Sequence, residues 1–72
     1  MDGIEIGKKY IDGMGEVWEI TGIGSKWITF CYWKAKNKEG EERTFSETGE
    51  YSPCKYSRRL IAEVKNWKGE KL

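Results

Sequence analysis

Tryptophan, tyrosine, arginine and lysine are the residues of this sequence with the clearest capacity to hold a ligand. Aromatic rings stack on flat groups or anchor an interface, and basic groups bind phosphate or carboxylate. The 72 residues include four Trp, four Tyr and no His. We expect the binding residues to be Trp27, Trp33, Tyr51, Tyr56, Arg58, Arg59, Lys65 and Trp67.

The basic residues are unevenly distributed along the chain. The formal net charge is +1, yet residues 55–72 carry six basic residues against two acidic ones, which gives this quarter a net charge of +4. A basic segment beside exposed rings is typical of a binding surface with a basic rim. The alternative interpretation, that this charged surface only keeps the protein soluble, remains open.

Catalytic and metal-binding patterns are missing from the sequence. Without histidine there is no Cys–His pair and no HExxH motif, and neither GxSxG nor a P-loop occurs. The pair Glu41 and Glu42 is typical of a solvated hairpin. Cys31 and Cys54 lack metal-ligand spacing, and we expect two reduced thiols, although a disulfide is geometrically feasible. We therefore predict a protein that is not an enzyme and holds no metal or cofactor.

Membrane association is not expected either. No apolar run approaches the roughly 18 residues that a spanning helix needs. The N-terminus also lacks the basic-then-apolar pattern of a signal peptide. We predict a cytoplasmic protein.

The run Trp27–Lys34 is predicted to be the central strand, because it holds four aromatic and two β-branched residues. Its side chains alternate between two faces. We expect one face, which carries Ile28, Phe30 and Tyr32, to point into the core. The opposite face carries Trp27, Thr29, Cys31 and Trp33.

Two further strands are predicted beside it. Glu16–Ile23 precedes it, after a turn at Asp12–Gly15, and its Trp18 and Ile20 share one face. A three-residue loop at 24–26 would pair Trp18 with Tyr32. Glu41–Phe45 follows a hairpin loop at Asn37–Gly40. A four-residue loop would pair Tyr32 with Phe45, whereas a three-residue loop with its glycine in the left-handed conformation would pair Trp33 with Phe45. Both alternatives stay open.

The C-terminal part is harder to assign. Residues 46–57 are predicted to be irregular. Residues 58–67 fit an amphipathic helix, but two arginines in its first turn would oppose the helix dipole. We favour a short helical turn at Tyr56–Arg59 followed by a strand over Leu60–Lys65, which would cover an edge of the sheet.

These four strands, with a short strand or extended lead-in within residues 4–11, predict an all-β domain, a small five-stranded barrel of antiparallel strands over residues 1–68, with a C-terminal tail at 69–72. Its architecture is similar to that of the Src-homology-type and Tudor-type barrels found as binding modules. No motif allows ligand residues of those barrels to be carried over. The alternative is a three-stranded antiparallel sheet with one C-terminal helix at 58–68.

The function is predicted from the central strand, which is apolar on both faces. A chain this short can bury both faces of a strand only with difficulty, so one face is expected to bind a partner. We expect a non-catalytic binding or regulatory module that engages a protein partner, of the compact kind found in phages and mobile elements. Nucleic-acid binding on the same surface is the alternative, and a structural, self-associating domain is the third. Monomer and homodimer both remain open.

Overall fold

The computed structural model describes residues 4–25, 31–46, 49–50 and 59–72. These residues form one antiparallel sheet, whose strands are β1 (Lys9–Asp12), β2 (Val17–Ser25), β3 (Cys31–Lys36), β4 (Glu42–Ser46), β5 (Gly49–Glu50) and β6 (Leu60–Val64). Five strands have four to nine residues, and β5 has two. The predicted all-β class of antiparallel strands is confirmed.

The strand order is β5-β4-β3-β2-β1-β6. Strands β1 to β5 follow one another as a meander, and β6 returns to pair with β1. The two end strands do not pair with each other in the described residues, so the sheet is open there. Leu60–Val64 is a strand, as predicted, and the alternative of a helix at 58–68 is wrong for the described part of that range. Residues 56–58 of the predicted helical turn lie outside the described residues.

The main core lies on one face of this sheet. It consists of buried residues from β1, β2, β3, β4 and β6, namely Tyr10, Trp18, Ile20, Trp33, Ala35, Phe45 and Leu60. The Trp18 and Phe45 rings meet edge to face, with centroids 5.1 Å apart and planes at 66°. Such a pair contributes about 0.5–1.5 kcal/mol beyond the burial of its area.

A bulge in β2 sets the pairing of β2 with β3. Ile20 pairs with Ala35 but Gly22 pairs with Lys34, so Thr21 is an extra residue on β2. One extra residue moves the following side chains to the other face of the sheet. The predicted pairing of Trp18 with Tyr32 is wrong, because β2 continues to Ser25 and Tyr32 pairs with Gly24; Trp18 pairs with Tyr10 of β1.

This register corrects the predicted faces of the central strand. Trp33 was expected outside the core, but it is only 8% exposed and packs within the core. Tyr32 was expected inside, but it is half-buried on the outer face, opposite Gly24. The predicted first part of that strand, residues 27–30, lies outside the described residues.

The loop after β3 settles the alternative that the sequence left open. Trp33 pairs with Phe45, as the three-residue loop requires. Gly40 has a φ of 86°, in the left-handed region. The backbone N–H of Gly40 donates to the carbonyl oxygen of Asn37 at 2.9 Å, which closes the turn.

Candidate functional site

Three turns of the chain share one five-residue sequence pattern, Asx-x-x-Gly-Glu, at residues 12–16, 37–41 and 66–70. In each, the side-chain oxygen of the first residue accepts hydrogen bonds from the backbone N–H groups of the third and fifth residues, at 2.9–3.3 Å. In each, the glycine has a φ of 82° to 87°, which other residues adopt at a cost. We call these segments the first, second and third capped turns.

The first residue of a capped turn decides what that turn contacts. Asp12 has a second carboxylate oxygen, which accepts a hydrogen bond from Trp18 Nε1 at 2.9 Å. Asn37 has an amide nitrogen instead, which donates to Glu41 of its own turn and to Glu16 of the first turn, both at 3.0 Å. The side chain of Asn37 therefore holds the first and second capped turns together.

The third capped turn folds back onto the end of β6. The backbone N–H of Lys65 donates to the carbonyl oxygen of Glu70 at 2.8 Å, and Lys71 forms an antiparallel bridge with Val64. These contacts fix the segment that begins at Lys65. The intervening residue Trp67 is consequently held at a defined place.

An apolar contact fixes the same turn against the outer face of the sheet. A Cβ built on Gly69 would lie 3.3 Å from Ile11 Cδ1 and 3.5 Å from Val17 Cγ2. Ile11 and Val17 are partners on β1 and β2. Val17 is buried there, and neither it nor Val64 belongs to the main core. The C-terminal segment thus covers part of the second face of the sheet.

The three capped turns meet at a cleft of about 290 Å³, which we call the three-turn cleft. It is lined by side chains of all three turns and of the adjacent strand, namely Met14, Gly15, Glu16, Val17, Asn37, Lys38 and Trp67. Met14 is 62% exposed, and Trp67 is half-buried. Two large apolar side chains therefore border a space that a ligand side chain can enter.

The ring of Trp67 also receives a cation. Lys9 Nζ lies 5.2 Å from the ring centroid, which is a cation–π contact. At an exposed site such a contact contributes about 0.5–1 kcal/mol. The contact joins β1 to the third capped turn.

Lys9 also lines a second cleft, of about 240 Å³, which we call the lysine cleft. It is lined by Gly7, Lys8, Lys9, Glu63, Val64, Lys65 and Leu72. Its Lys8 Nζ is 2.9 Å from a Glu5 oxygen and 3.8 Å from a Glu63 oxygen. The hydrogen bond and charge of Glu5, and then the charge of Glu63, raise the pKa of Lys8 above its ordinary value, so this group stays cationic at neutral pH.

Neither family models, nor curated protein sequences, nor solved structures give a significant match to this chain. We therefore infer function from the two clefts themselves.

The eight predicted binding residues fall into three groups. Four of them lie outside the described residues: Trp27, Tyr51, Tyr56 and Arg58. Trp33 is a core residue, because the β2 bulge turns it inward, and it presents no exposed ring. The remaining three, Arg59, Lys65 and Trp67, are at least partly exposed.

The structure brings only two of these three together. Lys65 and Trp67 belong to the segment that folds back after β6, and each lines one of the adjoining clefts. Arg59 precedes β6, and its carbonyl oxygen accepts a hydrogen bond from Gly13 N at 3.1 Å. The five residues of β6 separate it from Lys65.

Of the residues that line the two clefts, only Lys65 and Trp67 were predicted, and Met14, Lys8 and Lys9 are among those that were not. Met14 was assigned only to a turn. The signal that could have found it is the threefold Asx-x-x-Gly-Glu pattern, because one of the three copies also contains Trp67. The pairing of Lys9 with Val64 places both lysines beside the end of β6.

Within the described ranges, no group of three or more His, Cys, Asp or Glu side chains could hold a metal ion. The same part of the chain contains no helix that is long and apolar enough to cross a membrane.

Proposed function

We propose that this chain is a non-catalytic module that binds a segment of a protein partner at the three-turn cleft. Trp67 and Met14 are the apolar anchors of the interface. The observation that carries this proposal is the placement of these two incompletely buried side chains on one formed cleft. Trp and Met are enriched at protein interfaces, and a few anchors of this kind supply most of the binding energy.

The fixed geometry of the anchors supports the same function. The glycines of the three capped turns are left-handed, and the side chains of Asp12, Asn37 and Asn66 cap the backbone of those turns. A cleft built from such turns loses little conformational freedom on binding, which favours affinity.

Selection from a displayed library of random peptides tests this proposal. The wild-type protein is the bait, and the affinity of the selected peptides is then measured for Trp67→Ala and Met14→Ala. Loss of a central Trp anchor costs about 2 kcal/mol or more, which is roughly a 30-fold loss of affinity. Ile23→Ala is the matched control, because Ile23 is 48% exposed and lines neither the three-turn cleft nor the lysine cleft.

The outcome that contradicts the proposal is a set of selected peptides that bind Trp67→Ala and Ile23→Ala equally well. An empty selection contradicts it too. Circular dichroism of each variant separates loss of the anchor from loss of the fold.

Nucleic-acid binding remains the second candidate function, favoured by the position of the lysine cleft beside the Trp67 ring. A base stacked on Trp67 would place its phosphates near Lys9 and Lys65. Affinity for single-stranded DNA would then fall steeply with salt, with a log–log slope of about −0.7 per phosphate contact. A flat salt dependence rejects this candidate.

A further inference from the structure

We infer that the bound protein segment is acidic, with its carboxylates in the lysine cleft and an apolar side chain in the three-turn cleft. This inference rests on the proposed function and specifies the chemistry of the partner. It makes the two adjoining clefts one continuous recognition surface, with Lys9 and Trp67 at the junction.

The charge of the lysine cleft is the first argument. Three lysines and one glutamate line it. Glu63 and the neighbouring Glu5 are both paired with Lys8. Neither Lys65 nor Lys9 forms an ion pair with any residue that the structure describes, and Lys9 Nζ lies over the Trp67 ring. Two ammonium groups therefore lack an anionic partner in this part of the chain.

The position of Lys9 is the second argument. Lys9 lines the lysine cleft, and its Nζ lies over the ring of Trp67, which lines the three-turn cleft. A ligand carboxylate placed at this junction exchanges a weak cation–π contact for a charge-assisted hydrogen bond, which is the stronger interaction. A segment that binds in both clefts at once gains the binding free energy of the apolar contact and of the carboxylate contact together.

The neighbouring acidic residues favour a peptide over a nucleic acid. Glu5 and Glu63 lie within 4 Å of Lys8, and Glu70 follows in the third capped turn. The backbone of a nucleic acid carries a negative charge at every phosphate, so it would approach these carboxylates as well as the lysines. A peptide can instead present single carboxylates only where Lys9 and Lys65 lie.

The selected peptides from the displayed library supply the test. We expect them to be enriched in Asp and Glu close to an apolar residue. A synthetic peptide of the consensus sequence is then compared with a version in which Asn and Gln replace Asp and Glu. The neutral version is expected to bind about tenfold more weakly to the wild-type protein at low salt.

Charge-removing variants locate the effect. Lys65→Gln and Lys9→Gln are each expected to weaken binding of the acidic peptide about three- to fivefold, which is the effect expected from loss of one ion pair at an exposed interface. Lys34→Gln is the matched control, since it removes the same charge from the outer face of β3, away from both clefts. We expect it to change affinity less than twofold.

The outcomes separate this inference from the proposed function. Selected peptides without an excess of acidic residues, or equal effects of Lys65→Gln and Lys34→Gln, overturn the inference that the bound segment is acidic. Peptide binding that depends on Trp67 would still support the proposed binding module. Loss of that dependence overturns both. A 12-nucleotide oligothymidylate that binds more tightly than the acidic peptide, and that requires Lys65, assigns the surface to nucleic acid and overturns the inference.

Discussion

The indole of Trp18 donates a hydrogen bond to the carboxylate of Asp12 at 2.9 Å, and both side chains are almost completely buried. The other oxygen of Asp12 accepts the backbone N–H groups of Met14 and Glu16, each at 2.9 Å. A buried carboxylate is tolerated when donors surround it in this way. The main core is thereby tied directly to the turn that presents Met14.

Replacement of Asp12 by Asn is expected to destabilise the protein. An amide in this place either turns its NH₂ toward the Trp18 indole, which leaves a buried donor without an acceptor, or turns it toward the two backbone N–H groups. An unsatisfied buried donor costs about 1–3 kcal/mol. Urea unfolding followed by fluorescence measures this loss.

The Trp18→Phe variant provides the control for Asp12→Asn. It removes the indole N–H. The free energy of unfolding of the double variant is therefore expected to fall by less than the sum of the decreases in the two single variants. An Asp12→Asn variant within about 0.5 kcal/mol of the wild type, or strict additivity in the double variant, contradicts the proposed hydrogen-bond network.

The converse substitution, Asn37→Asp, is expected to be destabilising for the opposite reason. The amide nitrogen of Asn37 donates to Glu16 and Glu41, and a carboxylate in its place would meet two like charges in a buried position. The expected cost at neutral pH is about 1–3 kcal/mol. Thermal unfolding at pH 7 measures this loss of stability.

Asn66→Asp is the matched control for this charge change. Asn66 caps the third turn in the same way but donates to Glu70 alone and is more exposed. We expect Asn66→Asp to lose much less stability than Asn37→Asp does. Equal losses of stability would show that repulsion from the glutamate of the same turn accounts for the effect, and that the link between the first and second capped turns does not contribute.

Gly24 is expected to tolerate a side chain less well than Gly22 does. A Cβ on Gly24 would lie 2.7 Å from Tyr32 Cζ, whereas the nearest atom to a Cβ on Gly22 is Lys34 Cβ, at 3.9 Å. Gly24→Ala therefore displaces the Tyr32 ring, at a cost of about 1 kcal/mol. Gly22→Ala is expected to be neutral or slightly stabilising, because Gly weakens a strand.

Comparison of the two alanine variants by thermal unfolding tests the packing of Tyr32. In a Tyr32→Ala background, the penalty of Gly24→Ala should vanish. A penalty that persists there would place its origin in the backbone of β2 rather than in the ring.

Most of the strands could be predicted from local patterns. Trp18 and Ile20 were assigned to one face of β2, and both are core residues. The turn after Asp12 and the return strand that ends near Phe45 were also predicted. Alternation and turn residues suffice for such elements, because their signals lie within a few neighbouring residues.

The faces of β3 could not be predicted in the same way. Both are rich in aromatic residues, so composition could not distinguish them, and the bulge at Thr21 decides which one turns inward. A glycine within a strand often marks a bulge, and Gly22 follows this one directly. That weak signal competed with the stronger aromatic pattern, which favoured Tyr32 over Trp33 as the core residue.

The candidate site was predicted only through Trp67 and Lys65. Their neighbours Met14 and Lys9 come from distant parts of the sequence, and only the pairing of β6 with β1 and the fold of the third capped turn bring them near. Contacts of this kind depend on topology, which local periodicity does not contain.

The main core includes no residue after Leu60, whereas the anchor ring and the lysine that joins the two clefts lie outside it. Substitutions at Trp67, Lys9 or Lys65 therefore leave the packing of the main core intact. Under the proposed function, such a protein can acquire new partners through substitutions in its C-terminal segment while its main core stays unchanged. That separation makes the segment a natural place to randomise when new specificities are sought.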